Sequence, residues 1–288
     1  MSIVLSAPAV AELPEVVDAL RGWQRDRAPW QLHPGDVGWF WRAGAARTAE
    51  ALRTWRRAGR LVAVGLQDGP TLLRLTTSPD TRRDDGLAQR LFADVTSPHR
   101  GVLPAGRVNL EVPADALLHG LLADAGWPLD EPWTPLRRDL SAPMEAPGVR
   151  FEIVGPPQAT ARAAVQRAAF TASTFTTDAW HTMAAGAPYA DARCLLAADP
   201  HGTPVAAITV WSAGPGRPGL IEPLGVHRDH RHQGYGRAIT VAAAATLRSL
   251  GSSSALVYTL SSNTGAVATY RSAGFEALPE IHDRYRPA

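Results

Sequence analysis

The stretch HRDHRHQGYGRA, residues 227–238, sets Arg228, Arg231 and Arg237 around Gly234 and Gly236 at the mouth of an Ala-rich apolar run. Glycines let a backbone turn sharply and approach a ligand closely. A helix that starts there points its unpaired N–H groups and positive dipole end at the same spot. Arginine adds a charged fork of donors suited to phosphate oxygens. The residue types and spacing therefore predict an anion cradle. The alternative is a plain strand-to-helix turn flanked by solvated arginines. His227, His230 and His232 share the segment with Asp229. Irregular spacing and repelling arginines argue against a metal site, so no metal is expected. Cys194, the single cysteine, lies in the apolar run ARCLLAAD and reads as a buried strand residue.

The elements around the cradle can be read from periodicity. VRFEIV reads as a strand, PQATARAAVQRAAFTA as an amphipathic helix, and ARCLLAAD with PVAAITVWSA as a hairpin around Pro200–Gly202. GLIEPLGV is the strand that enters the cradle. GRAITVAAAATLRSLG is the helix that leaves it, closed by Gly251. SALVYTLS is a strand, NTGAVATYRSAGF a short helix with its exit turn, and IHDRYRP a final strand. Strands alternate with helices, and the hairpin makes the sheet mixed.

The pattern occurs twice. Arg83-x-x-Gly86-x-Ala88 precedes Arg231-x-x-Gly234-x-Gly236 by 148 residues, and Gly126-Trp127 precedes Gly274-Phe275 by the same 148. Pro70 and Leu72 map onto Pro218 and Leu220 in the same ungapped register. Two homologous halves follow, with the boundary expected in the Pro-containing stretch 141–148 and domains of 1–145 and 146–288.

Arg231-x-x-Gly234-x-Gly236 after the strand LGV resembles the acetyl-CoA loop of the GNAT N-acetyltransferase superfamily. SSNTGAVATYRSAGF resembles its second signature at Asn263, Ala266, Tyr270, Gly274 and Phe275. The resemblance covers 149–288 well and the first half in degraded form. It implies an α/β fold of two tandem domains, each a mixed, largely antiparallel sheet flanked by helices, like the mycothiol synthase-like tandem acetyltransferases. It implies acetyl-CoA (CoA) as the donor, with backbone N–H groups from about Gln233 through Gly234, Tyr235 and Gly236 to Arg237 around the pyrophosphate, and Arg231 and His232 among the cofactor-binding residues. Leu224, Gly225 and Val226 would pair with the pantetheine arm where the strands splay. Asn263 would hydrogen-bond the pantetheine amides, with Ala266 a further cofactor-binding position, and Tyr270 would donate a proton to the leaving thiolate. Glu222, on the strand into the cradle, is the best candidate for the base that frees the acceptor amine; it could instead form a salt bridge or orient the substrate. Asp178, His181 and His227 are further acid–base candidates that read better as surface or structural polar groups.

Projected back by 148 residues, Asn263 becomes Asp115, Tyr270 becomes Leu122 and Glu222 becomes Arg74. Asp84 and Asp85 fall inside the first loop, where carboxylates satisfy a helix dipole and repel phosphate. The first half is expected to be a degenerate copy. Its aromatic stretch, with Trp39, Phe40 and Trp41, reads as packing, or as a wall of an acceptor pocket.

All basic residues are Arg, and abundant Ala, Gly and Pro accompany them, which fits a GC-rich coding sequence. Net charge is only +2, so bulk basicity does not argue for nucleic acid. The opening segment lacks a basic n-region and carries Glu12 and Glu15, and there is no long apolar run. A cytoplasmic monomer or homodimer acting on a small-molecule amine, with no nucleic-acid or membrane partner, is the expectation. A non-catalytic acyl-CoA-binding pseudoenzyme or sensor is the alternative.

Overall fold

The computed structural model describes residues 2–26, 28 and 30–288. The chain runs through β1 (Ile3–Ser6), α1 (Leu13–Trp23), α2 (Pro34–Phe40), α3 (Ala45–Ala51), β2 (Leu52–Arg57), β3 (Arg60–Gln67), β4 (Leu72–Thr77), α4 (Asp85–Thr96), β5 (Val108–Glu111), α5 (Leu117–Asp124) and β6 (Leu129–Asp139). It continues through β7 (Arg150–Ile153), α6 (Ala159–Ala169), α7 (Thr177–Ala184), β8 (Ala192–Ala198), β9 (Pro204–Trp211), β10 (Gly219–Val226), α8 (Tyr235–Ser249), β11 (Ser254–Leu260), α9 (Thr264–Ser272), β12 (Glu276–Ala277) and β13 (Ile281–Arg286). The order β4-α4-β5-α5-β6 thus returns as β10-α8-β11-α9-β12, as the repeat predicts. The fold is mixed α/β, with two domains each built on a largely antiparallel sheet.

Two compact units result. Unit 1 holds Met1–His33, Ala45–Trp133 and Glu280–Ala288, and unit 2 holds Pro34–Gly44 and Thr134–Pro279. This partition does not follow one cut between 145 and 146. The final strand, expected in the second domain, lies in unit 1, where Arg284 of β13 pairs with Leu110 of β5. A short early segment containing α2 lies in unit 2. Local periodicity assigns an element its type, but only long-range pairing assigns it to a sheet.

In unit 1 the strand order is β1-β2-β3-β4-β5-β13-β6, with β4 and β5 parallel. Its core gathers Trp55, Leu73, Leu75, Leu91, Val108, Leu110 and Leu122. In unit 2 the order is β6-β11-β10-β9-β8-β7, with β10 and β11 parallel and β12 on β6. Seven of the eight β9 residues are buried, and α6 and α8 both pack on this strand. That explains why PVAAITVW reads as an unbroken apolar run rather than an alternating one. The alanines Ala242–Ala244 of α8 are fully buried, their small side chains allowing the helix to lie close on the sheet beside Ile239 and Leu247. Each large apolar side chain buried there contributes about 1.5–3 kcal/mol relative to exposure. α8 closes at Gly251, whose φ of 82° is the left-handed conformation a helix exit uses.

Candidate functional site

The site in unit 2 begins where a sheet comes apart. β10 pairs with β11 only at Gly219↔Ala255 and Leu220↔Leu256. Its register with β9 slips between Ile221 and Leu224, so Glu222 and Pro223 sit in a bulge. Beyond the bulge, Leu224, Gly225 and Val226 keep their β9 partners Ile208, Ala207 and Ala206. Their other edge has lost β11, which leaves strand backbone open to an extended ligand. Gly225 is needed for a second reason: a Cβ there would stand 2.6 Å from the Ala169 Cβ and 2.9 Å from the Phe170 ring.

The chain then turns through the loop into α8. Gly234 caps the helix with φ 83°, and His232 also has a positive φ of 61°. Ala238 is the first residue of this region whose N–H reaches a backbone carbonyl, that of Gly234 at 3.0 Å. Among the described residues, the N–H groups of Arg231 through Arg237 find no acceptor. Seven consecutive donors at a helix N-terminus form a concentrated positive field for an anion. Gly236 sits in tight quarters: a Cβ would press on Thr269 Cγ2 at 3.0 Å and touch Val226 Cγ2 at 3.5 Å.

The arginines have a different job from the one their types suggest. Arg228 Nε donates to the Ala168 carbonyl at 2.9 Å, and Arg231 Nη2 to the Ala169 carbonyl at 2.8 Å, both at the C-terminus of α6. Arg237 Nε donates to the Ser272 carbonyl at the end of α9 at 2.9 Å. Cations at helix C-termini satisfy orphan carbonyls and the negative dipole end. The three side chains brace the loop, while its backbone remains free.

A cavity of about 760 Å³ opens on these elements. Leu224, Gly225, Val226, Arg231, His232, Gly234, Tyr235, Gly236 and Arg237 line it from β10 and the loop, and Asn263 and Ala266 from α9. Asn263 is also the N-cap of α9, its Oδ1 accepting from Ala266 N at 3.2 Å. Phe170, Thr269 and His230 line it too and were missed by motif reading. Gln233 is exposed and lies outside the lining, as do Glu222 and Tyr270.

Tyr270 and Glu222 are near enough for the charge of one to act on the other. Tyr270 is 7% exposed, tilted against Phe275, and among the described residues its hydroxyl makes no hydrogen bond. Burial pushes the phenol up from its ordinary value, and the nearby Glu222 charge adds to the rise. The half-buried Glu222 carboxylate has no ion-pair partner among the described residues, and Trp211 Nε1 donates to the Glu222 carbonyl at 2.7 Å. The other acid–base candidates have structural settings. Asp178 and His181 sit on α7, with His181 edge-on to Trp180, and His227 Nδ1 accepts from Asp229 N at 3.3 Å. Cys194 is fully buried on β8, 3.2 Å from Thr209 Oγ1. Among the described residues no group of three His, Cys, Asp or Glu could hold a metal ion, and no helix is long and apolar enough to cross a membrane.

The matching loop of unit 1 is filled by its own carboxylate. Asp84 caps α4, its Oδ1 accepting from Leu87 N at 2.7 Å. The same carboxylate forms a two-pronged pair with Arg57, at 2.6 and 2.8 Å. These contacts pull the Asp84 pKa down to about 2, the Arg57 bond contributing most. Arg74, at the position of Glu222, is paired with Asp68 at 2.9 Å and lies 3.4 Å from Glu111. Leu122, at the position of Tyr270, is fully buried.

Residues 163–275 match the model of the acetyltransferase (GNAT) family. No curated protein matches the chain. Among solved structures, a GCN5-related N-acetyltransferase from Sphaerobacter thermophilus is 19% identical, with TM-score 0.61 over 99% of this chain and 95% of its own. A tandem GNAT protein from the clavulanic acid biosynthesis pathway, solved without AcCoA, is 18% identical with TM-score 0.63, over 99% of this chain and 98% of its own. A GNAT-family acetyltransferase from Colwellia psychrerythraea is 16% identical with TM-score 0.63, each chain covered to 99%. At these identities the likeness is one of fold.

Proposed function

We propose that the chain is an acetyl-CoA-dependent N-acetyltransferase acting on an amine of a small molecule, a reading supported by the match of residues 163–275 to the acetyltransferase (GNAT) family model. The observation that carries the reading is the run of free N–H groups from Arg231 to Arg237 beside the open edge Leu224–Val226. A pyrophosphate fits the first and an extended diamide arm fits the second. The absence of a Cβ at Gly225 and Gly236 keeps both elements seated as they are.

Bound acetyl-CoA supplies an activated acyl carbonyl, whose C–S bond breaks as a C–N bond to the amine forms. The loop backbone holds the donor's phosphates, and β10 orients its arm. Asn263 fixes the start of α9 and so the position of Tyr270 on the next two turns. Tyr270 Oη carries the proton that the departing thiolate needs; a phenol is protonated at neutral pH, and burial extends that state to more alkaline pH. The Glu222 carboxylate, without an ion-pair partner of its own, takes the proton from the incoming ammonium, directly or through water. Transfer is direct, in a ternary complex.

The test is a thiol-release assay with acetyl-CoA against amino acids, aminosugars and aromatic monoamines, with product masses checked. A gain of one acetyl group on an amine supports the reading. Donor binding without turnover on any amine would favour a non-catalytic acyl-CoA sensor, and no donor binding would remove both.

A further inference from the structure

Where β10 leaves β11 after Leu220, Glu222 and Pro223 have no ladder partner on β9. A buried carbonyl left unpaired is costly. The indole of Trp211 meets this one: its Nε1 donates to the Glu222 carbonyl at 2.7 Å, from a side chain only 1% exposed. Trp211 is itself the β9 partner of Leu220, the last β10 residue still joined to β11. A side-chain donor thus takes over where the ladder stops.

The indole is held from outside by backbone. A Cβ built on Gly38 would stand 2.3 Å from Trp211 Cζ3, so only a glycine lets α2 lie flat on the ring. Gly38 belongs to the segment Pro34–Gly44, part of unit 2 although the chain on either side belongs to unit 1. The neighbouring residues anchor that segment: Trp39 stacks on Phe175 with centroids 5.3 Å apart, and Gly186 leaves room for the Trp41 ring, 2.7 Å from where a Cβ would be.

We propose that this inserted segment is a working part of the donor site. By seating Gly38 on the Trp211 indole it fixes the hydrogen bond to the Glu222 carbonyl, holds β10 apart from β11, and keeps the edge Leu224–Val226 open. Trp211 and Gly38 are positioning residues, and the inference rests on the acetyl-CoA reading above. It also gives the first half of the chain a task in the second.

The test compares Trp211→Phe, which removes the N–H and keeps a ring, with Gly38→Ala and with Trp180→Phe. Trp180 is 3% exposed, and among the described residues its Nε1 has no hydrogen-bond partner, so its replacement costs packing without a hydrogen bond. Calorimetric titration with acetyl-CoA should show Kd raised about five-fold in Trp211→Phe and at least as much in Gly38→Ala, the loss of one hydrogen bond. Trp180→Phe should move Kd less than about two-fold at a comparable loss of Tm. An unchanged Kd in Trp211→Phe, or equal weakening in Trp180→Phe, would overturn the proposal. If the wild-type chain binds no acetyl-CoA, the donor reading fails by itself, and hydrogen exchange at Glu222 and at Leu224, Gly225 and Val226 still decides this one. Faster exchange there in Trp211→Phe than in Trp180→Phe is expected, and equal exchange refutes it.

Discussion

The two loops that open α4 and α8 start from one pattern and end in opposite electrostatic states. In the loop before α8 the N-cap is Gly234, the arginines are turned onto the ends of α6 and α9, and seven N–H groups await an anion. In the loop before α4 the N-cap is Asp84, whose carboxylate takes the Leu87 N–H and the Arg57 guanidinium. One loop is left unsatisfied by protein and the other is complete without a ligand. The strands repeat the contrast. β10 slips its register and parts from β11, whereas β4 stays in register with β3 and pairs with β5 through Arg74↔Glu111. On the proposed reading, a binding site here is an interruption of self-satisfaction, and the first loop is a copy in which that interruption is closed by its own side chains.

The comparison can be broken most severely at Tyr270. Tyr270→Phe should lower turnover about 100- to 1000-fold with an acceptor amine while leaving the calorimetric Kd for acetyl-CoA unchanged, because only a proton donor is lost. The wild-type rate should also show no alkaline fall at a tyrosine's ordinary pKa of about 10, since burial holds this phenol protonated beyond it. Next in size is a transplant of the first loop's carboxylates, H232D with Q233D. Two negative charges beside a pyrophosphate should weaken acetyl-CoA binding at least about 100-fold.

Gly236→Ala sharpens the packing side of the contrast. Its Cβ presses on Thr269 and Val226, so a several-fold loss of donor affinity is expected by titration, with little change in fold. The smallest effect belongs to unit 1. Asp84→Ala should cost about 1 kcal/mol of stability at neutral pH, measured by denaturant unfolding, through loss of a cap and a partly exposed ion pair. The sign with pH follows from the depressed pKa. The contribution is present above the unfolded value of 3.8 and is lost as pH falls toward about 2, so wild type and variant should converge in acid.

Much of this was readable before any coordinates. Gly234 and Gly236, the offset of 148 residues, the strand GLIEPLGV and the helix with Tyr270 are local signals, and each lies on the element expected of it. The carboxylate of Asp84 at its helix start was legible for the same reason. What stayed hidden depends on partners distant in the chain. Nothing around Arg228 announces Ala168, 60 residues away, and nothing in IHDRYRP announces β5. The placement of Pro34–Gly44 in unit 2 is equally nonlocal, since its neighbours there, Trp211 against Gly38 and Phe175 against Trp39 among them, lie far along the chain. The register slip at Glu222 could have been suspected from Pro223, which has no N–H to give a ladder.

The most direct measurement is a calorimetric titration of the full chain with acetyl-CoA, repeated on the H232D/Q233D variant. The account predicts one site per chain, lost in the variant. Two sites, or one that survives the variant, would contradict the contrast between the loops, and no binding to the wild-type chain would contradict the donor site itself.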